Sequence, residues 1–245
     1  DVEVTEGWWQ PLVELLDANR DVAAVAPKLL ADSHRDSFEY AGAAGGFIDY
    51  LGYPFCRGRI LSNVERDEGQ YDDCREIFWG SGAALCCRRE AFWSVGGFDE
   101  SFFAHQEEID LQWRMQLAGW RIMVEPRAKV YHLGGGTLPA SSRKIYLNHR
   151  NNLAMLYKCS TPLQRAVVAV VRPVTDMAEA FGYLMTMHPH KAWAIVRAWG
   201  RFIAWHRMLA LKRRAVVRRK KVKGIYRFSI VVRYLCGMRR FKTMI

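Results

Sequence analysis

Glu107, Glu108 and Asp110 put three carboxylates within four positions, at the head of a run from 107 to 118 that stops at Gly119. A carboxylate within hydrogen-bond reach of a hydroxyl can take its proton as that oxygen attacks, so the cluster is equipped for general-base chemistry. The apolar spacing of Leu111, Met115 and Ala118 predicts an amphipathic helix there. Its N-terminus favours ionised acids by about 0.3 to 1 kcal/mol. That effect keeps a base ready, but it also accounts for acids in a first turn with no chemistry at all. Just upstream, residues 102–106 (Phe-Phe-Ala-His-Gln) offer an aromatic and polar wall. Downstream, residues 130–133 read as a strand delivering His132 to Gly134, Gly135 and Gly136. Backbone N–H groups of such a loop suit an anion, although the run lacks G-x-G-x-x-G spacing and has meaning only together with His132.

These groups need a scaffold, and the surrounding pattern is that of an α/β chain. Residues 8–18 have helical apolar spacing and 22–30 read as a short buried strand, a helix-then-strand unit. Residues 31–76, rich in Gly, Asp, Arg and Ser, read as loops with little regular structure, a place for an acceptor-specific surface. Two short apolar segments, 77–79 and 83–87, flank Gly80-Ser81-Gly82, and 89–95 reads as a helix stopped by Gly96-Gly97. Beyond 145 the pattern turns helical, with breaks expected at Pro162, Pro173 and Pro189.

The 245 residues suit one sizeable domain with an appendage. Half are hydrophobic, which excludes a compositionally disordered chain. All 25 acids lie at or before Glu179, against 19 of the 36 Lys and Arg, so residues 1–179 carry −6 and the last 66 residues +17. A tail so basic implies an anionic partner. The six cysteines, at 56, 74, 86, 87, 159 and 236, have no zinc-site spacing and fit a reduced, cytosolic compartment. The sequence shows no signal peptide and no uncharged apolar run long enough to span a bilayer.

In order and spacing, the acidic pair, the third acid two positions on and the His-x-Gly-Gly element resemble the acceptor-side core of family 2 inverting glycosyltransferases of the GT-A fold, with a rhamnosyltransferase-like cast. The resemblance covers about residues 1–158 and is most specific over 79–137. It implies a partial, Rossmann-like GT-A core in residues 1–158, followed by a mainly helical, basic, membrane-associating tail in 159–245. It also implies inverting, metal-dependent transfer of a hexose or deoxyhexose from a nucleotide-diphosphate donor to a growing, lipid-linked surface glycan. The second acid of the pair is the family's base, which maps onto Glu108, a Glu where Asp is more usual. Glu107 and Asp110 take supporting positions. His132 is implied as a ligand of Mg²⁺ or Mn²⁺, and Asp1 as the last acid of an Asp-x-Asp element, unless it is simply a terminal residue. On that reading the chain begins in mid-domain, the nucleotide-binding part precedes it, and the chain alone is inactive.

Trp79, Gly80, Ser81 and Gly82 are candidates for a sugar-pocket floor, with core packing an equal account of Trp79. His105, Gln106, Gly134, Gly135 and Arg150 complete the candidate donor- and acceptor-binding set, and Arg143, Lys144 and Tyr146 join Arg150 as a group that could approach phosphates. In the tail, Trp193, Val196, Trp199 and Ile203 recur at helical spacing beside Arg197 and Arg201, ahead of a basic run at 212–223. That combination fits a helix lying on an anionic membrane, hence a peripheral protein on the cytoplasmic face of the cell membrane. Nucleic acid is the lesser alternative partner. The competing function is a non-catalytic, membrane-docked glycan-binding scaffold with a degenerate form of the same fold.

Overall fold

The computed structural model describes residues 1–134, 141–220, 222 and 224–243. In chain order the elements are β1 (Val2–Val4), α1 (Gln10–Ala18), β2 (Val22–Ala31), β3 (Gly46–Asp49), β4 (Pro54–Cys56), β5 (Arg59–Ile60), β6 (Asn63–Val64), β7 (Arg75–Glu76) and β8 (Cys86–Cys87). There follow α2 (Arg89–Ser94), α3 (Glu107–Ala118), β9 (Arg121–His132), α4 (Ser142–Cys159), α5 (Pro162–Met185), α6 (Pro189–Ala204), α7 (His206–Ala215), β10 (Ile225–Tyr226) and α8 (Ile230–Leu235). The α/β expectation holds.

The first sheet has the order β1-β9-β2-β8, with β7 also on β9. Its centre is the parallel pair β2 and β9. Nine of the ten β2 residues are buried, which explains a strand written as a nearly unbroken Val/Ala/Leu run. The register slips between Pro27 and Lys28, where β9 passes Pro126. The fully buried Lys28 ammonium is neutralised there by Asp67 (2.7 Å) and by Asp72. β1 runs antiparallel to the end of β9, pairing Val2 with His132.

Residues 31–76 depart from the expected loops. They build most of a second sheet, β10-β3-β4-β5-β6. Its strands are two to four residues long, too short for an alternating pattern to show, and positive-φ glycines at 45, 52 and 58 turn the chain around them. Pro162 and Pro189 open α5 and α6 in their first turns, where a missing N–H costs nothing, whereas Pro173 lies inside an unbroken α5. The helix persists through Pro173 because its inward face is fixed: buried Arg172 pairs with Asp176 at 3.0 Å and donates to Leu51 O and Asn152 Oδ1.

The tail folds back on the rest of the chain. Leu209, Ile230 and Phe241 are buried in the same cluster as Phe47, Phe55 and Trp113, and β10 adds to β3 in parallel. Much of the basic run is consumed in this docking. Lys212 pairs with Asp99, Arg213 donates to the carbonyls of Tyr157, Lys158 and Ser160, and Arg218 donates to those of Lys158 and Cys159. These cations of the basic run at 212–223, which the sequence assigns to an anionic membrane, are therefore engaged within the fold. Trp199 also faces inward, its indole donating to Asp176 at 3.0 Å. Trp193, Val196 and Ile203 do face solvent.

Candidate active site

The acidic cluster opens α3, and the turn before it is strained. Phe103, His105 and Gln106 all have φ near +70°, a region that costs roughly 1 to 3 kcal/mol for a residue with a Cβ. At Phe103 the strain takes the form of a γ-turn, closed by Ala104 N donating to Phe102 O at 2.8 Å. The turn is held from α4. The Asn151 amide donates to the carbonyls of Phe102, Ala104 and His105 at 2.7 to 3.0 Å, and Asn152 donates to Gln106 Oε1 and Gly52 O. Neither asparagine is legible as a site residue in sequence, because their partners, backbone carbonyls and the Gln106 side chain, lie 46 to 100 positions away. Asn151→Ala is expected to lower kcat about 100-fold with a much smaller loss of stability, since misplacing a reacting group by an ångström costs about that much. Faster hydrogen exchange at residues 104–107 would accompany it; unchanged kcat would show the clamp to be irrelevant.

Arg150 belongs to the same clamp. Its guanidinium donates to Ser101 O and Phe102 O and to Asn151 Oδ1, so its expected role as a phosphate or sugar ligand is replaced by positioning. Trp79 is also corrected. It is 3 % exposed, its ring packs so closely on Gly46 that no side chain fits there, and its indole donates to Phe47 O; it is core and not a sugar platform. Gly80 is gripped from both sides by Gln112, whose amide accepts from Gly80 N and donates to Gly80 O, each at 2.7 Å. Ser81 is buried and accepts from Ala83 N. Gly82 is the member of this turn that reaches the acids: a Cβ added to it would stand 3.5 Å from Glu108 Cβ.

Asp110 does not reach solvent. It is fully buried and pairs with Arg114 and Lys158, each at 2.8 Å, so its support for the site is structural. Glu107 and Glu108 remain at the site. Burial, reinforced by the neighbouring Glu107 carboxylate, pushes Glu108 up to about 7, against the pull of backbone N–H groups at 108 and 109. Burial raises Glu107 as well, and its Oε2 is buried with no hydrogen-bond partner among the described residues. Burial and Lys144 depress His105, whose Nε2 is likewise unpartnered. Unpaired polar atoms on one short turn are what a polar ligand would satisfy.

The expected metal pair does come together. Asp1 Oδ2 lies 3.8 Å from His132 Nε2, and Leu133 N donates to Asp1 O. A third residue, missed in the sequence, lies beside the pair: Glu39, 2 % exposed, has Oε1 3.3 Å from His132 Nδ1 and Oε2 accepting from Ala41 N. Glu39 Oε1 and His132 Nδ1 are not hydrogen-bonded: both are buried without a hydrogen-bond partner among the described residues, a pair of polar atoms that a ligand would satisfy. A lone Glu in a Gly/Ala-rich stretch gave no signal of this. Gly134 passes so close that an added Cβ would stand 2.9 Å from Glu39 Oε1; Gly135 lies outside the described residues. Among the described residues no three His, Cys, Asp or Glu side chains converge as a complete metal cage. The donor set fits a hard divalent cation that takes its remaining ligands from a diphosphate. Gly42 packs on Ser81, and burial pushes the Cys56 thiol up to about 11.

No known protein-family model matches the chain. Over 88 residues (36% of the chain) it is 40% identical to N-acetylglucosaminyl-diphospho-decaprenol L-rhamnosyltransferase of Mycobacterium tuberculosis, of which that stretch is 28%. Over 132 residues (54% of the chain) it is 27% identical to the O-antigen biosynthesis protein RfbC of Myxococcus xanthus, 10% of that protein's length. A 50-residue stretch, 20% of the chain, is 48% identical to 10% of a Pre-mycofactocin glycosyltransferase of Mycobacterium tuberculosis. The matches thus span under a third of these relatives. In fold, 70% of the chain superposes on 32% of GalNAc-T7, solved with UDP, GalNAc and Mn²⁺, with a TM-score of 0.50 and 16% identity. The sequence relatives include proteins named as glycosyltransferases, and the α/β fold is GT-A-like, so sequence and fold point the same way: the chain is similar to part of a family 2-like glycosyltransferase.

Proposed function

We propose that this chain forms the acceptor-side part of an inverting glycosyltransferase that moves a sugar, rhamnose or another hexose, from a nucleotide-diphosphate donor to a polyprenyl-diphosphate-linked glycan. The observation that carries the reading is Glu108, a carboxylate beside Gly82 that burial brings to about 7, so that it can take a proton at neutral pH. The acceptor class comes from the rhamnosyltransferase relative, whose name specifies a sugar on diphospho-decaprenol. In this scheme the acceptor hydroxyl loses its proton to Glu108 as its oxygen attacks the anomeric carbon and the nucleoside diphosphate departs from the opposite face. Asp1 and His132, with the Glu39 carboxylate beside the imidazole, would hold Mg²⁺ or Mn²⁺, which when bound would neutralise the leaving diphosphate.

No helix among the described residues is long and apolar enough to cross a membrane. α5 nevertheless exposes Val170, Val174, Met177, Phe181 and Leu184 at alternating four- and three-residue steps, one continuous apolar stripe, and α6 exposes Trp193, Val196 and Ile203. This supports peripheral association with the cytoplasmic leaflet through apolar stripes flanked by cations. The test is nucleoside diphosphate release from UDP-, GDP- and dTDP-sugars by protein expressed from its native reading frame, with lipid-linked acceptor extract and Mn²⁺ or Mg²⁺. Metal-dependent release with one donor is expected; none with any donor, from folded protein, would favour the non-catalytic scaffold.

A further inference from the structure

Between α4, α6 and the Phe103 turn lies a cavity of about 590 Å³ that the base and the metal group do not use. Its polar wall is cationic. Arg143, Arg197 and His190 line it, with Arg150 behind, and no carboxylate contributes to the lining. Among the described residues no acid lies within ion-pair distance of Arg143 or Arg197, whereas Arg35, Arg57, Arg114, Arg121 and Arg127 each have one. Both free guanidiniums are propped on rings, Arg143 over Phe103 at 5.0 Å and Arg197 over Tyr146 at 5.3 Å, which fixes their planes and leaves N–H edges for a ligand. Two forked cations facing one space match an anion with several oxygens, above all a diphosphate.

We propose that this cavity is the subsite for the diphosphate of a polyprenyl-diphosphate-linked acceptor; the inference rests on the acceptor class proposed above. Two features distinguish that occupant from the donor's diphosphate. The cavity wall includes Trp193, 61 % exposed, so the site opens onto the apolar stripe of α6, where a polyprenyl chain would lie and a nucleoside would not. Phe103 also stands five positions before Glu108, within about 18 Å of extended chain, so a sugar on the bound diphosphate is within reach of the base. The metal group that would hold the donor's diphosphate belongs to the ends of β1 and β9, separate from the cavity lining.

The experiment is calorimetric titration of the protein with farnesyl diphosphate, farnesol and UDP with Mn²⁺, and a competition against phosphatidylglycerol vesicles. Farnesyl diphosphate is expected to bind, farnesol much more weakly, and the double variant Arg143→Ala/Arg197→Ala to weaken farnesyl diphosphate about 30-fold while leaving UDP unaffected. Both arginines are exposed, so the variant folds, and Arg143→Lys/Arg197→Lys should recover part of the affinity. Equal loss of UDP binding would reassign the cavity to the donor. Competition by phosphatidylglycerol vesicles as effective as that of farnesyl diphosphate would make it a general anionic-lipid site. Unchanged farnesyl diphosphate affinity in the alanine variant would reject it outright. Glu108→Gln, silent in this titration, separates these outcomes from failure of the transferase reading, which shows only in donor turnover.

Discussion

Glu108→Gln is expected to lower sugar transfer by about 10² to 10⁴-fold without unfolding the protein. The substitution keeps shape and hydrogen bonding and removes only the capacity to accept a proton. Glu108 has no ion-pair partner among the described residues, so no cation is stranded by the change. The wild-type rate carries its own signature. Burial and the Glu107 charge raise the carboxyl to about 7, so the base form is scarce in acid: the rate should climb about tenfold per pH unit below 7 and level off above. Glu107→Gln removes the neighbouring charge and should move that limb to lower pH. A flat profile between pH 5.5 and 8, or full activity in Glu108→Gln, would remove Glu108 from the chemistry.

The second large effect is on stability. Asp110→Asn should cost about 3 to 5 kcal/mol, the cost of breaking a buried pair by removing one partner. The Asp110 carboxylate sits between Arg114 and Lys158, and both cations are themselves buried. Arg114 goes on to donate to Val95 O and Gly97 O, and Lys158 to Asp99 at 2.5 Å, so Asp110 ties α3 to the turn after α2 and to α4. Asp99, in spite of burial, is held well below the usual carboxylate range by Lys158 and Lys212, which shows how strongly positive that pocket is. A lower urea midpoint with unchanged slope is the expected observation. Loss of kcat with no loss of stability would instead return Asp110 to direct contact with substrate.

How much of this was legible beforehand depended on whether a residue's role is local. α3, its acidic first turn, its Gly119 stop and the approach of His132 to Asp1 follow from patterns within a dozen positions or from a motif. The demotions of Trp79, Arg150 and Asp110 do not. A Trp beside glycines reads the same whether it floors a pocket or fills a core, and Gly46, 33 positions away, decides it. An Arg near a candidate site reads as a ligand until the carbonyls that occupy it are known. Charge counting placed +17 in the last 66 residues correctly but could not see that Lys212, Arg213 and Arg218 are bound to the body of the fold.

The return of the tail has a consequence for how the chain reaches its native state. Phe47 and Phe55 pack on Phe241, almost two hundred positions later, and Asp49 Oδ2 accepts from Ile230 N. Contacts of such long sequence separation close slowly. During synthesis the second sheet must therefore wait, with two aromatic rings uncovered, until nearly all of these residues have left the ribosome. Chaperone dependence and inclusion-body formation should accordingly be greatest for variants that delay this last closure, Phe241→Ala foremost, even though that ring lies outside the acidic cluster and the metal group.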